Sequence, residues 1–118
     1  MDQNVVNTDE FIQKKIAAGK KYYLRIYKAG PNQNQPDDEA EQIQTAHQRY
    51  LFQLRAEGKL VIGGPVLDDA DLKGIAIFNT TDKVEVKRLA DGDPAVKAGR
   101  LVYEIYGWYG LPGDCLPE

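Results

Sequence analysis

The sequence predicts an α+β domain in which one sheet carries both of its main helices on a single face, and three observations lead there. Segments with the periods of strands and of helices follow one another in the order βαββαβ. Crossover connections between strands are right-handed in nearly all proteins, which places both helices on the same side of the sheet. A chain of 118 residues, 42% of them hydrophobic, is also long enough to bury a core of its own.

A helix is predicted ahead of this βαββαβ region. Asn7 and Glu10 have the spacing of a helix-capping pair, and Gly19 is a residue type on which helices commonly end. We therefore expect a helix over 8–18, inside an N-terminal appendage of residues 1–20. The βαββαβ domain follows over 21–110, and residues 111–118, rich in Gly and Pro, form a C-terminal tail.

The first strand is predicted over 22–29, where the sequence YYLRIYKA has the period of two typical of a strand. One face carries Tyr22, Leu24 and Ile26, and the other carries Tyr23, Arg25 and Tyr27. The next segment, 30–38, reads GPNQNQPDD. Its polar residues and two prolines have little to bury or to pair, which predicts a mobile surface loop or a lid.

The first main helix is predicted over 39–57, with Asp38 and Glu41 at capping spacing and Gly58 at its end. Four apolar residues form one helical stripe, and His47 lies on the same stripe: Ile43, Tyr50, Leu51 and Leu54. A short strand over 60–62 follows. The sequence predicts that it is closed by Gly63, Gly64 and Pro65.

The second half of the domain repeats the pattern of strand, helix and strand. Asp68, Asp69 and Asp71 lack calcium-loop spacing and indicate a solvated turn. A strand is predicted over 74–79, a helix over 83–91 between Asp82 and Gly92, and the last strand over 101–109. The complete order is that of the ferredoxin-like split sheet.

Such a sheet leaves one face without helices, and this sequence makes that face apolar. The residues assigned to it are Tyr23, Tyr27, Ile75 or Ile77, Tyr106 and Trp108. Because exposed apolar patches of this size usually mark interaction surfaces, a second copy packed sheet to sheet is expected. The sequence thus predicts a homodimer.

Composition excludes several classes of partner. The net charge of -3 does not attract nucleic acid, and no apolar run approaches the roughly 20 residues that cross a bilayer. A single cysteine and an N-terminus without signal-peptide features place the protein in the cytoplasm. No cofactor or metal motif is present, so we expect a small-molecule ligand or substrate, no cofactor, no metal, no nucleic acid and no membrane.

Two residues are candidates for chemistry. His47 is the only histidine, either a half-buried core imidazole or a general base. Asp93 lies in GDPAVKAG, where an acid before proline is typical of a helix N-cap, but its carboxylate could also orient His47. Helices on a common face are neighbours, so the two side chains can converge.

The spacing around these residues resembles that of the YCII-related family, over roughly 22–108. The matching pattern is His47-x-x-Tyr50-Leu51-x-x-Leu54-x-x-x-Gly58-x-Leu60, then Gly63-Gly64-Pro65, then Asp93-Pro94-x-x-x-Ala98-Gly99 before a strand that ends at Trp108. The resemblance implies a dimeric α+β barrel of ferredoxin-like subunits and an active site that pairs His47 with Asp93. The N-terminal helix, the Asn/Gln loop and the Cys115 tail depart from the shortest family members.

The family includes a chloromuconolactone dehalogenase, and muconolactone isomerase has a related barrel. The resemblance therefore implies a cofactor-independent lyase or isomerase in which His47 removes a proton and Asp93 holds the imidazole. Five further residues are assigned to the substrate pocket: Tyr50, Gly63, Gly64, Pro65 and Arg49. The alternative is a non-catalytic dimer that binds a small ligand or regulates a partner.

Overall fold

The computed structural model of the protein describes residues 3–118. Met1 and Asp2, which begin the predicted appendage, lie outside the described residues. The helices are α1 (Gln3–Val6), α2 (Asp9–Ala17), α3 (Asp37–Ala56), α4 (Lys83–Asp91) and α5 (Pro94–Lys97). The strands are β1 (Lys20–Ala29), β2 (Leu60–Pro65), β3 (Leu72–Phe78) and β4 (Leu101–Gly110).

The four strands form one antiparallel sheet in the order β2-β3-β1-β4. Helix α3 connects β1 to β2, and α4 with α5 connects β3 to β4. The buried core joins apolar side chains of these helices to one face of the sheet, with Leu54, Val86 and Leu89 against Tyr23 and Phe78. The predicted α+β fold, with its βαββαβ order and helices on one face, is confirmed.

The helix N-termini follow the predicted caps only in part. Asp82 caps α4 as predicted, because its side chain accepts a hydrogen bond from Val84 N. Helix α2 is capped by Thr8 rather than Asn7, since the Thr8 hydroxyl reaches Phe11 N. Helix α3 begins one residue before Asp38, directly after Pro36, without a side-chain cap.

The sequence predicts that Gly63-Gly64-Pro65 closes β2, and this prediction is wrong, because the three residues form the second half of the strand. The three residues pair with Ala76, Ile75 and Gly74 of β3. Strand β2 is at the edge of the sheet. Proline is tolerated there because an edge strand has one side without a neighbouring strand, where no backbone N–H is needed for a hydrogen bond.

The two faces of β1 are the reverse of the prediction. Tyr23 and Tyr27 are buried beneath the helices together with Arg25, and they do not lie on the bare face. The rings of Tyr23 and Tyr27 are part of the buried core, and Arg25 and Tyr27 also line the cavity described below. The helix-free face instead carries Tyr22, Leu24, Ile26, Ile75, Ile77, Tyr106 and Trp108. This face therefore carries more apolar residues than the sequence predicts.

The polar loop after β1 is held by hydrogen bonds, so the expectation that it has little to pair is wrong. Asn32 N donates to Gly99 O at 2.9 Å, and Gln33 Nε2 donates to Arg100 O at 2.7 Å. Gln35 both donates to Ala98 O and accepts from the Arg100 guanidinium. The amide side chains that suggested a solvated connection are the ones that fasten the loop.

The acidic stretch before β3 is a turn, as predicted. Asp69 Oδ1 accepts hydrogen bonds from the backbone N–H groups of Asp71 and Leu72, at 2.9 and 2.7 Å. Within residues 3–118, no helix combines the length and apolar character needed to cross a bilayer.

Candidate active site

A cavity of about 520 Å³ lies between α3 and the inner face of the sheet. Residues of β1, α3, β2 and β3 line it, together with Gln33, Arg100 and Ala95 of α5. This volume is typical of pockets that bind small molecules, which hold about 300 to 1,000 Å³. The cavity is therefore the candidate binding site.

His47 enters this cavity from the middle of α3 and is bound to Asp93. Its Nδ1 lies 2.7 Å from Asp93 Oδ2 and 2.9 Å from Asp93 Oδ1, across 46 positions of sequence. The His47 side chain is 12% exposed, and among the described residues its Nε2 has no hydrogen-bond partner. One nitrogen is thus held by the protein and the other is left for a ligand.

Asp93 is fully buried and also caps a helix. Its Oδ1 accepts from Ala95 N at 2.9 Å, with Pro94 as the first residue of α5. Its Oδ2 accepts from the Tyr27 hydroxyl at 2.6 Å, in addition to His47. The sequence left room for Asp93 to be both a helix cap and the partner of His47, and its two carboxylate oxygens make both sets of contacts.

These contacts determine the charge of the pair. Burial raises the pKa of Asp93, but hydrogen bonds from His47 and Tyr27 outweigh it, and the net pKa lies below its usual value. Burial also raises the pKa of Tyr27 far above its usual value, so its hydroxyl keeps its proton. Asp93 is therefore an ionised acceptor at neutral pH.

An ionised carboxylate accepts hydrogen bonds and cannot donate them, which selects the histidine tautomer. In the neutral imidazole the hydrogen lies on Nδ1, toward Asp93, and Nε2 is the nitrogen that carries the lone pair. The Tyr27 ring packs against the imidazole, with ring centroids 5.8 Å apart and planes tilted by 54°. The arrangement presents a fixed proton acceptor whose protonated form would be stabilised by a buried anion.

Three of the five other predicted site residues line the cavity: Gly63, Gly64 and Pro65. At Gly63 a side chain is excluded, because an added Cβ would lie 2.9 Å from Ile75 O and 3.1 Å from Ala76 Cβ. The glycine keeps this wall of the cavity close to the backbone of β3.

Arg49 and Tyr50 do not line the cavity, which corrects their assignment to the pocket. Arg49 is exposed on the far side of α3, because two residues of helix rotate it about 200° away from His47. Tyr50 packs against the core, and its hydroxyl donates to Leu89 O at 2.8 Å.

Two features of the site are not predicted from the sequence: the cationic lining of the cavity and the tyrosine that donates to Asp93. The lining includes four cationic residues and, within the described part of the chain, no Asp or Glu: Arg25, Arg55, Lys73 and Arg100. The signal for Arg25 and Tyr27 was present in the alternation of β1. The alternation alone does not show which face is buried, because Leu24 and Ile26 on the other face are also suited to a core.

Comparisons with known proteins agree with this fold. Residues 21–109 match the model of the YCII-related domain. The chain is similar to the structure of 5-chloro-2-hydroxyhydroquinone dehydrochlorinase from Burkholderia phenoliruptrix AC1100 in complex with 2,5-dihydroxybenzoquinone, with 27% identity and a TM-score of 0.50. The similarity covers 73% of this chain and 92% of that chain. No curated protein matches the sequence. On the family match over most of its length, this chain belongs to the YCII-related family.

Proposed function

We propose that the protein is a cofactor-independent lyase or isomerase that transfers a proton on a small hydroxylated or carbonyl ring compound, with His47 as base. One observation carries the proposal: the buried, ionised Asp93 fixes Nδ1 of His47, which lines the cavity, while Nε2 of His47 has no hydrogen-bond partner in residues 3–118. The similar dehydrochlorinase, whose structure holds 2,5-dihydroxybenzoquinone, favours elimination of HCl as the reaction.

The step needs no redox partner. His47 Nε2 accepts a proton from an O–H or C–H bond conjugated with a carbonyl, and the released electron pair forms a new double bond. In the elimination, the C–Cl bond breaks and its electron pair leaves with chloride, so that the substrate loses H⁺ and Cl⁻. In an isomerisation, the imidazolium returns the proton to another atom of the same molecule.

Asp93 has the role of a positioning residue in this step. It keeps the Nδ1–H tautomer before the transfer and stabilises the imidazolium after it. Tyr27 holds the carboxylate from the side of the sheet, and Ala95 N holds it from α5. The base is therefore fixed by three elements before a substrate enters.

The test is chloride release from 5-chloro-2-hydroxyhydroquinone and related chlorinated hydroquinones under anaerobic conditions, with quinone absorbance as a second readout. His47→Gln should lower turnover by about 10² to 10⁴, the usual contribution of a positioned base. Asp93→Asn should keep the α5 cap, because asparagine caps as well as aspartate. Its amide would donate to Nδ1 and force the hydrogen of His47 onto Nε2, so turnover should fall while the fold is retained.

Arg49→Gln is the matched control, because Arg49 is exposed on α3 two residues from His47 and outside the cavity. It should keep wild-type turnover. Equal chloride release by the wild type and His47→Gln would contradict the proposal, as would binding of these compounds with no turnover.

A further inference from the structure

Arg25 is a buried cation that forms no ion pair with any of residues 3–118. It lies on the inner face of β1 between Tyr23 and Tyr27 and is 2% exposed. Its guanidinium carbon lies 3.5 Å from the centroid of the Tyr27 ring and 5.3 Å from that of the Phe78 ring. Two aromatic rings thus hold a planar cation in one position at the wall of the cavity.

One buried hydrogen-bond donor of this guanidinium is unused. Its Nε has no hydrogen-bond partner, and in residues 3–118 no carboxylate forms an ion pair with it. The nearby carboxylate, Asp93, is already engaged by His47, Tyr27 and Ala95 N. A charge removed from water and left unpaired is costly, so its presence at a cavity wall points to an anion that arrives with a ligand.

The other cationic residues of the lining add to the positive charge of the cavity. Arg55 and Arg100 use their side chains on neutral oxygens, those of the Gly63 carbonyl and the Gln35 amide. Lys73 is also among the lining residues, and within residues 3–118 no acidic residue lines the cavity, although the whole chain has a net charge of -3. Positive charge is therefore concentrated in the one place where His47 offers a free nitrogen.

We infer that Arg25 binds a planar oxyanion, the enolate or phenolate oxygen of a single-ring ligand, in the cavity beside His47. Arg25 stacks on the ring of Tyr27, and the hydroxyl of Tyr27 donates to Asp93, the partner of His47. Arg25 and His47 therefore lie on the same side of the cavity. When His47 takes a proton, negative charge appears on the ligand oxygen, and Arg25 would stabilise it without further reorganisation. The identity of the ligand rests on the proposed function, whereas its charge rests on the lining alone.

The experiment is a calorimetric titration with 2,5-dihydroxybenzoquinone, a ring whose hydroxyl groups are ionised at neutral pH, and with hydroquinone, a similar ring that is neutral there. The wild type should bind the anion more tightly than the neutral ring. Arg25→Met keeps most of the side-chain length and removes the charge. It should weaken binding of the anion by about 10- to 100-fold, the weight of lost charge-assisted hydrogen bonds, and leave hydroquinone unchanged.

Arg25→Lys is the second variant, since it keeps the charge without the planar fork and should give an intermediate affinity. Arg49→Met is the control for loss of an arginine outside the cavity and should bind as the wild type does. A measurement on the wild type alone covers the case in which Arg25→Met does not fold. The ¹⁵N resonance of Arg25 Nε should shift on titration with the anion and stay in place with hydroquinone.

Binding of the anion within twofold of wild type by a folded Arg25→Met would overturn the inference, as would a wild-type preference for hydroquinone or an unmoved Arg25 resonance. Failure of this inference can be distinguished from failure of the proposed function. Arg25-dependent binding without turnover of any chlorinated ring would support the anion site and contradict the lyase. Turnover that depends on His47 but not on Arg25 would do the opposite.

Discussion

The hydroxyl of Tyr27 donates to Oδ2 of Asp93 at 2.6 Å, so the carboxylate that holds His47 is itself held by the central strand β1. Three elements far apart in sequence meet at one carboxylate: β1 through Tyr27, α3 through His47, and α5 through Ala95 N. None of the three makes this arrangement alone. The base is therefore a product of the tertiary fold rather than of a local motif.

Tyr27→Phe should raise the pKa of Asp93, because the lost hydrogen bond is one of those that lower it. The acid limb of the pH–rate profile should then move to higher pH, and stability should fall by about 1.5 to 3 kcal/mol, as for a hydrogen bond to a charged group. Tyr23→Phe is the control, since among the described residues the Tyr23 hydroxyl makes no hydrogen bond. Identical profiles for the two variants would show that Tyr27 does not act on Asp93.

Asp93 should make the protein sensitive to acid. Its pKa in the folded protein lies below the ordinary value of 3.8, so its contribution to stability is complete above that pH and is lost as the pH falls through the lower folded value. The difference in unfolding free energy between the wild type and Asp93→Asn should therefore shrink between about pH 5 and pH 2. Urea titrations followed by the fluorescence of Trp108 would measure it.

Asp91→Asn is the control for this acid titration. Hydrogen bonds from Lys87 and Tyr103 also lower the pKa of Asp91, but its side chain is 49% exposed, where solvent screens the interaction. Its difference from the wild type should depend little on pH. An Asp93→Asn difference equally independent of pH would contradict the ionised, hydrogen-bonded carboxylate.

The loop after β1 should exchange its bonded amide hydrogens slowly. Gly30 N and Asn32 N donate to Arg100 O and Gly99 O, at 2.8 and 2.9 Å. Gln33→Ala removes two side-chain bonds, to Gly30 O and Arg100 O, and should accelerate exchange at both amides. Asn34→Ala removes an amide that makes no such bond in residues 3–118 and is the control. Exchange in this loop as fast as in residues 111–118 of the wild type would show that these bonds do not persist.

The helix-free face of the sheet should bury itself against a second copy. The exposed area of 8,161 Å² exceeds the roughly 6,400 Å² of a compact monomer of 13.2 kDa, and Tyr106 and Trp108 are 47% and 42% exposed. Light scattering should give twice the mass of one chain. Leu24→Lys, at the centre of the face, should give single chains, whereas Leu67→Lys in the turn before β3 should not. A wild type with the mass of one chain would refute the dimer.

The helices and strands could be predicted because each has a local sequence pattern, such as a cap, a terminating glycine or a hydrophobic period. The helix of α4 follows from Asp82 at one end and Gly92 at the other, and its bounds are as predicted. Strand β2 was cut short because glycine and proline weaken a strand in general, while an edge position tolerates both. Local signals do not tell an edge strand from a central one.

The candidate site was predictable only in the part that short motifs carry. His47 and Asp93 stood out as the only histidine and an acid before proline. Arg25 did not, because an arginine in an alternating strand ordinarily faces water, and only the pairing of β1 with both neighbours puts it under α3. The prediction for the loop after β1 was wrong for a similar reason, because its side-chain amides donate to backbone carbonyls about 65 residues away.

The alternation of β1 makes the length of this strand as important as its composition. Arg25 and Tyr27 serve the cavity, and Leu24 and Ile26 occupy the opposite surface one residue away. Insertion or deletion of one residue within the strand would exchange these two sets. An aliphatic side chain would then enter the cavity, and the guanidinium would enter the apolar surface. Relatives that vary in length should therefore do so in their loops, and substrate preference in this strand can change only by substitution.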